Sequence, residues 1–366
     1  MVTFQSLGLI DRMNSLVADF AQGFPVGTVS TLVEGVHVLS LPMSFHPGHV
    51  NVYLLEDDAG LTLVDSGNAR QDTREIWSAF LRTPLASKGI QRIILTHGHP
   101  DHSGHAEWLQ AQTGAELWLT APEVDAIRRL WRGSPLNFPA VEAFFLQWGL
   151  PAELFPAVQD LLEGFRNDTS DLPFPLREIM DGEQIMVAGR PWQVKCGFGH
   201  TPANATLWQK DLGLLITGDQ LLPRIVPNIS IWWGSSLNPL AEYLDSIQTF
   251  LGMGNLVGLP AHGTVFDDLD GRILQIIQFH KKRLVRALQC CSAQSLSAFD
   301  CIRPVLGKTE GGALIALIIG QVFALLAYLE GEGLMVRSGE SVFRFQTVPG
   351  ALERLNQLPV FNLDGA

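Results

Sequence analysis

The feature that most constrains this chain is a histidine-rich loop at residues 96–105. Four of the ten histidines fall within nine residues of this loop, together with one carboxylate. Residues 92–95 before it form a short apolar run that is typical of a buried strand. Ser103 is a suitable N-cap for a helix that would follow. The pattern therefore predicts a strand-to-helix loop whose side chains can converge on one point.

The spacing inside the loop indicates metal binding. His97 and His99 are two residues apart on extended backbone, so both can face one ion. Asp101 and His102 lie at the turn into the helix and can face a second ion beside the first. A polar surface loop is the alternative interpretation, but so many titratable groups would repel one another without a cation. Imidazole and carboxylate ligands suit zinc, iron or manganese.

Three more candidate ligands each stand at the end of an apolar, strand-like segment. They are His200, Asp219 and His262. Strand ends are where loops present side chains to a shared site, so these residues can join the histidine-rich loop. The order and spacing of the motifs resemble the metallo-β-lactamase-fold hydrolases, in the dinuclear branch that includes glyoxalase II-like enzymes. The resemblance spans about residues 34–265, and it implies an α/β fold, an αββα sandwich.

The resemblance also implies how the ligands divide between two divalent metal ions. His97, His99 and His200 would hold one ion, Asp101, His102 and His262 the other, and Asp219 would bridge the pair. Asp65 matches the family's aspartate that supports a ligand imidazole. Taken alone, Asp65 before Ser66 and Gly67 would be interpreted as a turn residue. Asp101 is also expected to orient the nucleophile, and zinc is the expected metal, with iron or manganese as alternatives.

Composition restricts the other functional classes to which the protein could belong. The 366 residues carry a formal net charge of −12, which disfavours a broad nucleic-acid surface. Residues 280–283 with Arg286 form the only compact basic cluster. The four cysteines, Cys196, Cys290, Cys291 and Cys301, have no metal-type or disulfide spacing and are expected to be reduced in a cytoplasmic protein. The first residues show no secretory signal pattern.

One apolar stretch, residues 311–329, nearly reaches the length of a membrane span. Glu310, Glu330 and Glu332 flank it, and neither a Lys/Arg cluster nor an aromatic belt accompanies it. We therefore expect a buried or interface helix and no membrane span.

The chain divides into three predicted parts. Residues 1–33 contain an amphipathic helix at 8–24, residues 34–268 form the catalytic domain, and residues 269–366 form a C-terminal domain. Three helices and a β-hairpin predicted in the last part resemble the winged-helix tail of endoribonuclease-like relatives. Its third helix is apolar and not basic, which favours packing or homodimer formation over nucleic-acid recognition.

Substrate contacts are less constrained by the sequence. A helical, apolar insertion at about residues 135–165 is predicted either to cover the site as a lid or to pack only on its neighbours. Arg224, Trp232 and Trp233 follow Asp219 and are candidates for the pocket wall, although Arg224 could equally be structural. His46 and His49 are expected to be solvated loop residues more readily than substrate contacts.

The predicted function is a metallo-hydrolase in which a metal-bridging hydroxide attacks a carbonyl carbon. A thioester, ester or lactone with an apolar acyl part is the expected small-molecule substrate. The alternative is a metal-dependent endoribonuclease or phosphodiesterase acting on single-stranded RNA. Common zinc β-lactamases have a cysteine where this chain has Asp219, so that activity is not expected. Ala203 and Asn204 depart from the family pattern, which puts the pocket shape in doubt.

Overall fold

A computed structural model describes residues 15–132, 136–172, 176–307 and 312–362. Residues 8–14 of the predicted N-terminal helix at 8–24 lie outside the described residues, and residues 15–19 are helical. The architecture is a sandwich of two mixed sheets covered by helices. The first sheet has seven strands in sequence order. These are β1 (Val29–Val33), β2 (Val36–Pro42), β3 (His49–Asp57), β4 (Gly60–Val64), β5 (Ile90–Ile94), β6 (Glu116–Thr120) and β7 (Leu176–Ile179).

The second sheet has five strands in the order β12-β11-β10-β9-β8, and a separate hairpin lies near the C-terminus. The sheet strands are β8 (Gln184–Val187), β9 (Arg190–Gly197), β10 (Asn204–Gln209), β11 (Leu214–Gly218) and β12 (Val257–Pro260). The hairpin strands are β13 (Met335–Ser338) and β14 (Arg344–Thr347).

The helices occupy the outer faces, the insertion and the C-terminal part. They are α1 (Gln71–Phe80), α2 (Pro100–Ser103), α3 (Ala106–Thr113), α4 (Ala121–Ile127), α5 (Phe138–Gln147), α6 (Phe155–Asn167), α7 (Pro239–Gln248), α8 (Leu269–Cys290), α9 (Ala298–Leu306), α10 (Gly312–Gly331) and α11 (Ala351–Gln357).

An apolar layer between the two sheets forms one core. Val38, Tyr53 and Ile94 from the first sheet face Leu207 and Ile216 from the second. The outer face of the first sheet packs against helices, so strands such as β3 and β4 are covered on both sides. Because both faces of these strands are covered, their sequences are nearly continuously apolar. A strand with one face in solvent would instead alternate polar and apolar residues.

Strand direction brings the candidate ligands to one edge of the sandwich. In the first sheet β4 and β5 are parallel, so the loops that follow them meet. In the second sheet β9 and β11 both run antiparallel to β10, and β11 is parallel to β12. Asp65, the histidine-rich loop, His200, Asp219 and His262 all follow the carboxyl ends of these strands. This is the physical reason that distant segments share one site.

The structure corrects several local predictions. Ser103 is not an N-cap: it lies inside the short helix α2, and its hydroxyl donates to the carbonyl of His99 at 3.0 Å. His105 precedes the next helix, α3. The edge strand β1 lies within residues 1–33, where only a helix was predicted. The predicted insertion is resolved into α5, a short 3₁₀ turn and α6.

The C-terminal part has the predicted element order of three helices and a hairpin, followed by α11. Its apolar helix α10 is long and apolar enough, at Leu314–Gly331, to cross a membrane by length and composition alone. More than half of that window is buried against the rest of the protein, with Val322, Phe323 and Leu326 fully enclosed. The packing matches the expected buried helix.

Candidate metal centre

The structure brings all seven predicted ligands together in two adjacent groups. One group comprises His97, His99, His200 and Asp219, and the other comprises Asp101, His102 and His262. Within each group the ligand atoms lie within 4.8 Å of one another. The grouping coincides with the division between two metal ions that the sequence resemblance implied.

Asp219 lies between the two groups. Its Oδ2 is 3.4 Å from Nε2 of His200, and its Oδ1 is 3.3 Å from Nε2 of His262 and 3.6 Å from Nε2 of His102. One carboxylate oxygen therefore faces each group. Asp219 is therefore the residue that would contribute a ligand to both groups if two metal ions were bound.

Backbone carbonyls fix which nitrogen two of the histidines present. Nδ1 of His200 donates to the carbonyl of Asn228 at 3.0 Å, and Nδ1 of His262 donates to the carbonyl of His49 at 2.8 Å. A carbonyl can only accept, so each ring carries its proton on Nδ1. Nε2 of each ring is therefore the nitrogen that faces the ligand groups and would bind a metal ion.

Asp65 fixes a third imidazole in the same way. Its Oδ2 accepts from Nδ1 of His102 at 2.8 Å, and the carboxylate also accepts from the amide and hydroxyl of Thr96 at 2.7 and 2.9 Å. Asp65 is buried and has a φ of +70°, a left-handed backbone conformation that is costly for a non-glycine residue. It lies behind His102 and does not line the cavity described below.

His97 and His99 point ring nitrogens at each other. Nε2 of His97 is 3.0 Å from Nδ1 of His99. Burial, reinforced by the neighbouring histidines, lowers the pKa of both rings, that of His99 to about 3. Both rings are therefore neutral, and each offers a lone pair. In this contact His97 uses Nε2 and His99 uses Nδ1.

Three buried atoms in the centre have no hydrogen-bond partner among the described residues. They are Nε2 of His102, Nε2 of His200 and Oδ1 of Asp219. Unpartnered buried polar atoms are costly, and these face one another. Burial tends to raise the pKa of Asp101 and Asp219, but the facing histidines outweigh it and hold both well below the usual range. Ionised carboxylates and the imidazole nitrogens that face them are ligands that suit a pair of divalent cations.

Glu123 is a functional residue that the sequence analysis missed. It lies in α4 and is buried. Its Oε2 accepts from the amide of Gly98 at 2.9 Å, and its Oε1 accepts from the amide of Ala203 at 2.7 Å. Burial raises its pKa, and these hydrogen bonds oppose that rise. The carboxylate therefore ties the loop of His97 and His99 to the loop of His200, across a contact that sequence spacing does not signal.

Strand β3 supports the His262 loop, which corrects the expectation for His49. Nε2 of His49 accepts from the amide of Gly263 at 3.0 Å, in addition to the carbonyl contact with His262. Asn51 donates to the carbonyls of Pro260 and Gly263 at 3.0 and 3.1 Å. His49 is thus a structural partner of a ligand and not a solvated residue. His46, by contrast, lines the cavity.

Asn204 explains one departure from the family pattern. It is fully buried, and its side-chain oxygen accepts from the amide of Asp219 at 3.3 Å while its nitrogen donates to the carbonyl of Thr217 at 3.3 Å. Neither Asn204 nor Ala203 lines the cavity. The departure therefore affects how Asp219 is held and not the shape of the pocket.

A cavity of about 900 Å³ opens over the two ligand groups. Its wall is largely apolar and aromatic and includes Trp232 and Trp233. Arg224 is exposed and does not belong to the wall. Arg129, on the turn after α4, is the one arginine or lysine among the described residues that line it.

The insertion and the C-terminal part build the upper wall together. The insertion contributes Val141 and Phe145 from α5 with Leu162 and Phe165 from α6, and α10 contributes Leu317 and Gln321.

Aromatic contacts join the insertion to the C-terminal part. Trp148 stacks on Phe323 with ring centroids 4.5 Å apart, and Phe144 meets the same ring at 6.0 Å. The insertion therefore both covers the site and packs beyond its own two helices.

The fold and the site define a metallo-hydrolase scaffold with two adjacent His/Asp ligand groups. Residues 46–262 match the family model of the metallo-beta-lactamase superfamily, so the chain belongs to that superfamily.

Solved and curated proteins agree with this assignment. The chain is 29% identical to a beta-lactamase domain protein from Burkholderia ambifaria, with a TM-score of 0.81 over 92% of this chain and 100% of that one. It is 22% identical to the "Probable metallo-hydrolase YqjP" of Bacillus subtilis, over 73% of this chain and 83% of that protein. It is 21% identical to an "Atrochrysone carboxyl ACP thioesterase" of Aspergillus fumigatus, over 75% of this chain and 69% of that protein.

Proposed function

We propose that this protein hydrolyses thioesters, or esters and lactones, that carry a large apolar acyl group. The observation that supports this most directly is the apolar cavity of about 900 Å³ that continues from the two ligand groups. Pockets of this size and character enclose drug-sized ligands and orient them with a few polar groups. An acyl chain or ring system in this cavity would bring its carbonyl carbon to the ligand groups.

The ligand groups supply the means of hydrolysis. When bound, two divalent ions supply a water of pKa near ~7 and Lewis-acid polarisation of a carbonyl oxygen. His97, His99, His200, Asp101, His102, His262 and Asp219 would hold them. Asp101 is half-buried and faces the cavity, where its carboxylate can orient the attacking water. We propose zinc as the metal, and we assign the chain to the glyoxalase II-like dinuclear branch because Asp219 occupies the bridging position.

One named relative supports thioester hydrolysis. It is described as an "Atrochrysone carboxyl ACP thioesterase". The apolar and aromatic wall of this chain's cavity is compatible with a substrate of that class. Hydrolysis of RNA receives less support, since Arg129 is the lone arginine or lysine on the described wall and the net charge is −12.

We further propose that α8, α9, α10 and the hairpin form a winged-helix-like unit whose role is packing. Its third helix supplies cavity wall and core, as its burial indicates, and not a basic surface. A cytoplasmic location and a homodimer remain predictions.

A hydrolysis panel on protein of known metal content tests the proposal. The panel contains long-chain and aromatic acyl thioesters, short acyl thioesters, lactones and single-stranded RNA. We expect turnover of bulky acyl substrates, loss of turnover on chelation and recovery with zinc. Cleavage of RNA without acyl hydrolysis would overturn the proposal and support the endoribonuclease alternative.

A further inference from the structure

Three of the four cysteines meet where α8 ends and α9 begins. Cys290 is the last residue of α8, Cys291 follows it, and Cys301 lies one turn into α9. The Cys290 and Cys301 sulfurs are 3.8 Å apart, and the Cys291 and Cys301 sulfurs are 3.6 Å apart. All three sulfur atoms lie within 4.8 Å of one another. The spacing of these cysteines in the sequence does not indicate a metal site, because the turn between two helices brings the third cysteine to the other two.

The sulfur separations match a shared ion better than a disulfide. An ion about 2.3 Å from each sulfur places the sulfurs about 3.8 Å apart in tetrahedral geometry and about 4.0 Å apart in trigonal geometry. A disulfide requires about 2.05 Å between sulfurs, so one pair would have to approach much further. The two separations that involve Cys301 already suit an ion.

The surroundings hold the cluster in place. The carbonyl of Cys291 accepts from the amide of Thr347 at 3.1 Å and from the side chain of Gln346 at 3.0 Å. Ser297 and Asp300 form a reciprocal capping box that fixes the start of α9. The hairpin therefore holds the α8 side of the cluster, and the capping box holds the α9 side.

Burial leaves the cysteine cluster accessible to solvent from one side. Cys291 and Cys301 are fully enclosed, while Cys290 is half-buried and reaches solvent. Thiols donate and accept hydrogen bonds only weakly, so the contacts among the three sulfurs satisfy them poorly. An ion can enter beside Cys290, and a solvent molecule can act as a further ligand on that side. None of the three cysteines lines the cavity over the His/Asp centre.

We propose that Cys290, Cys291 and Cys301 form a separate site for a thiophilic closed-shell cation, Zn²⁺ or Cu⁺. Thiolate ligands select these ions over the harder cations that suit His/Asp sets. Each thiol that binds loses its proton to solvent, and the ion replaces it. The ion links the end of α8 to α9, and both helices pack against α10, which forms part of the cavity wall.

Metal titration of the reduced, metal-free full-length protein tests the site. Zn²⁺ and Cu⁺ are each added in competition with a chelator of known affinity, and thiolate-to-metal charge-transfer absorption is followed. Wild type is expected to bind one ion with this absorption, and the Cys290→Ser variant is expected to lose it. Cys196→Ser is the matched control, because Cys196 is a buried cysteine in β9 outside the cluster. Asp219→Ala is expected to keep the absorption, which separates this site from the His/Asp centre.

Alkylation mapped by mass spectrometry gives a second measurement that needs no variant. One equivalent of Cu⁺, which thiolates bind in preference to His/Asp sets, is expected to slow alkylation of Cys290 at least about tenfold, with no change at Cys196. Equal absorption in wild type and Cys290→Ser would overturn the proposal, as would equal alkylation with and without the ion. Recovery of the native protein with a disulfide within the trio, lighter by two hydrogen atoms, would also overturn it.

Discussion

The metal-ligand centre and the cavity above it are built by different forces. In the centre, Asp65 and two backbone carbonyls accept hydrogen bonds from imidazole nitrogens, and Glu123 and Asn204 accept them from backbone amides of the ligand loops. In the cavity, aromatic and aliphatic side chains pack without such direction. Directional contacts tolerate little displacement, whereas apolar packing tolerates substitution of similar volume. We therefore expect the centre to determine whether reaction occurs and the cavity to determine which acyl group reacts.

Removing the bridging carboxylate should have the largest effect. Asp219→Ala deletes a carboxylate whose two oxygens face different ligand groups, so hydrolysis should fall at least about a thousandfold, and bound metal should fall with it. Metal content by mass spectrometry and kcat/KM on a bulky thioester measure this. Asp211→Ala, at an exposed position near the start of β11, is the control. Full activity in metal-depleted Asp219→Ala would refute the mechanism.

Breaking a support behind the ligands should cost less. Glu123→Ala leaves the amides of Gly98 and Ala203 buried without their acceptor and loosens two ligand loops. Metal affinity should fall about 10- to 100-fold. Chelator competition measures this, with Glu107→Ala as the control because Glu107 is exposed in the first turn of α3. Unchanged affinity would show that the loops hold their positions without Glu123.

Proton release should make metal binding depend on pH. Burial lowers the pKa of His262, but the carboxylates of Asp219 and Asp101 more than reverse this and raise it to about 10 in the metal-free protein. A raised folded pKa stabilises the metal-free fold below the unfolded value near 6.5, and this contribution is lost as pH rises towards 10. A metal ion must displace that proton, so affinity should rise with pH, about tenfold per unit for each proton released. Calorimetry in buffers of different ionisation enthalpy counts the protons, and a flat affinity between pH 6 and 9 would contradict the prediction.

Changing the cavity wall should alter selectivity and leave metal binding intact. Leu317→Ala removes apolar surface contributed by α10, so kcat/KM for long acyl thioesters should fall up to about tenfold, with little change for acetyl thioesters. Leu314→Ala on the same helix is the control, because Leu314 is exposed. An equal loss on short and long substrates would place Leu317 outside substrate recognition.

The smallest effect is expected at Arg129. Its exposed guanidinium is the lone arginine or lysine on the described wall, so it can attract an anionic leaving group such as a phosphopantetheine. Arg129→Gln should raise KM about two- to fivefold for such thioesters, since exposed charge pairs contribute little. Substrates with uncharged leaving groups should be unaffected. Arg128→Gln is the control, because Arg128 is exposed and does not line the cavity. Equal effects of both variants would contradict the assignment.

The sequence by itself determined the seven ligands and their division between two groups. Each ligand directly follows a strand, and within the histidine-rich loop spacing alone decides which way a side chain faces. The apolar pattern likewise predicted most strands of both sheets and the buried helix α10. These features depend on residues close together in the chain.

Tertiary structure decided the contacts that join distant segments. Glu123 reaches an amide 80 residues away, and His49 supports a ligand that lies 213 residues further along. The cysteine trio forms only because the turn between α8 and α9 folds Cys301 back onto Cys290 and Cys291. The cavity requires the insertion and α10 to meet. Such contacts carry no periodic signal in the sequence, since they are fixed by how whole elements pack and not by the conformation of any one element.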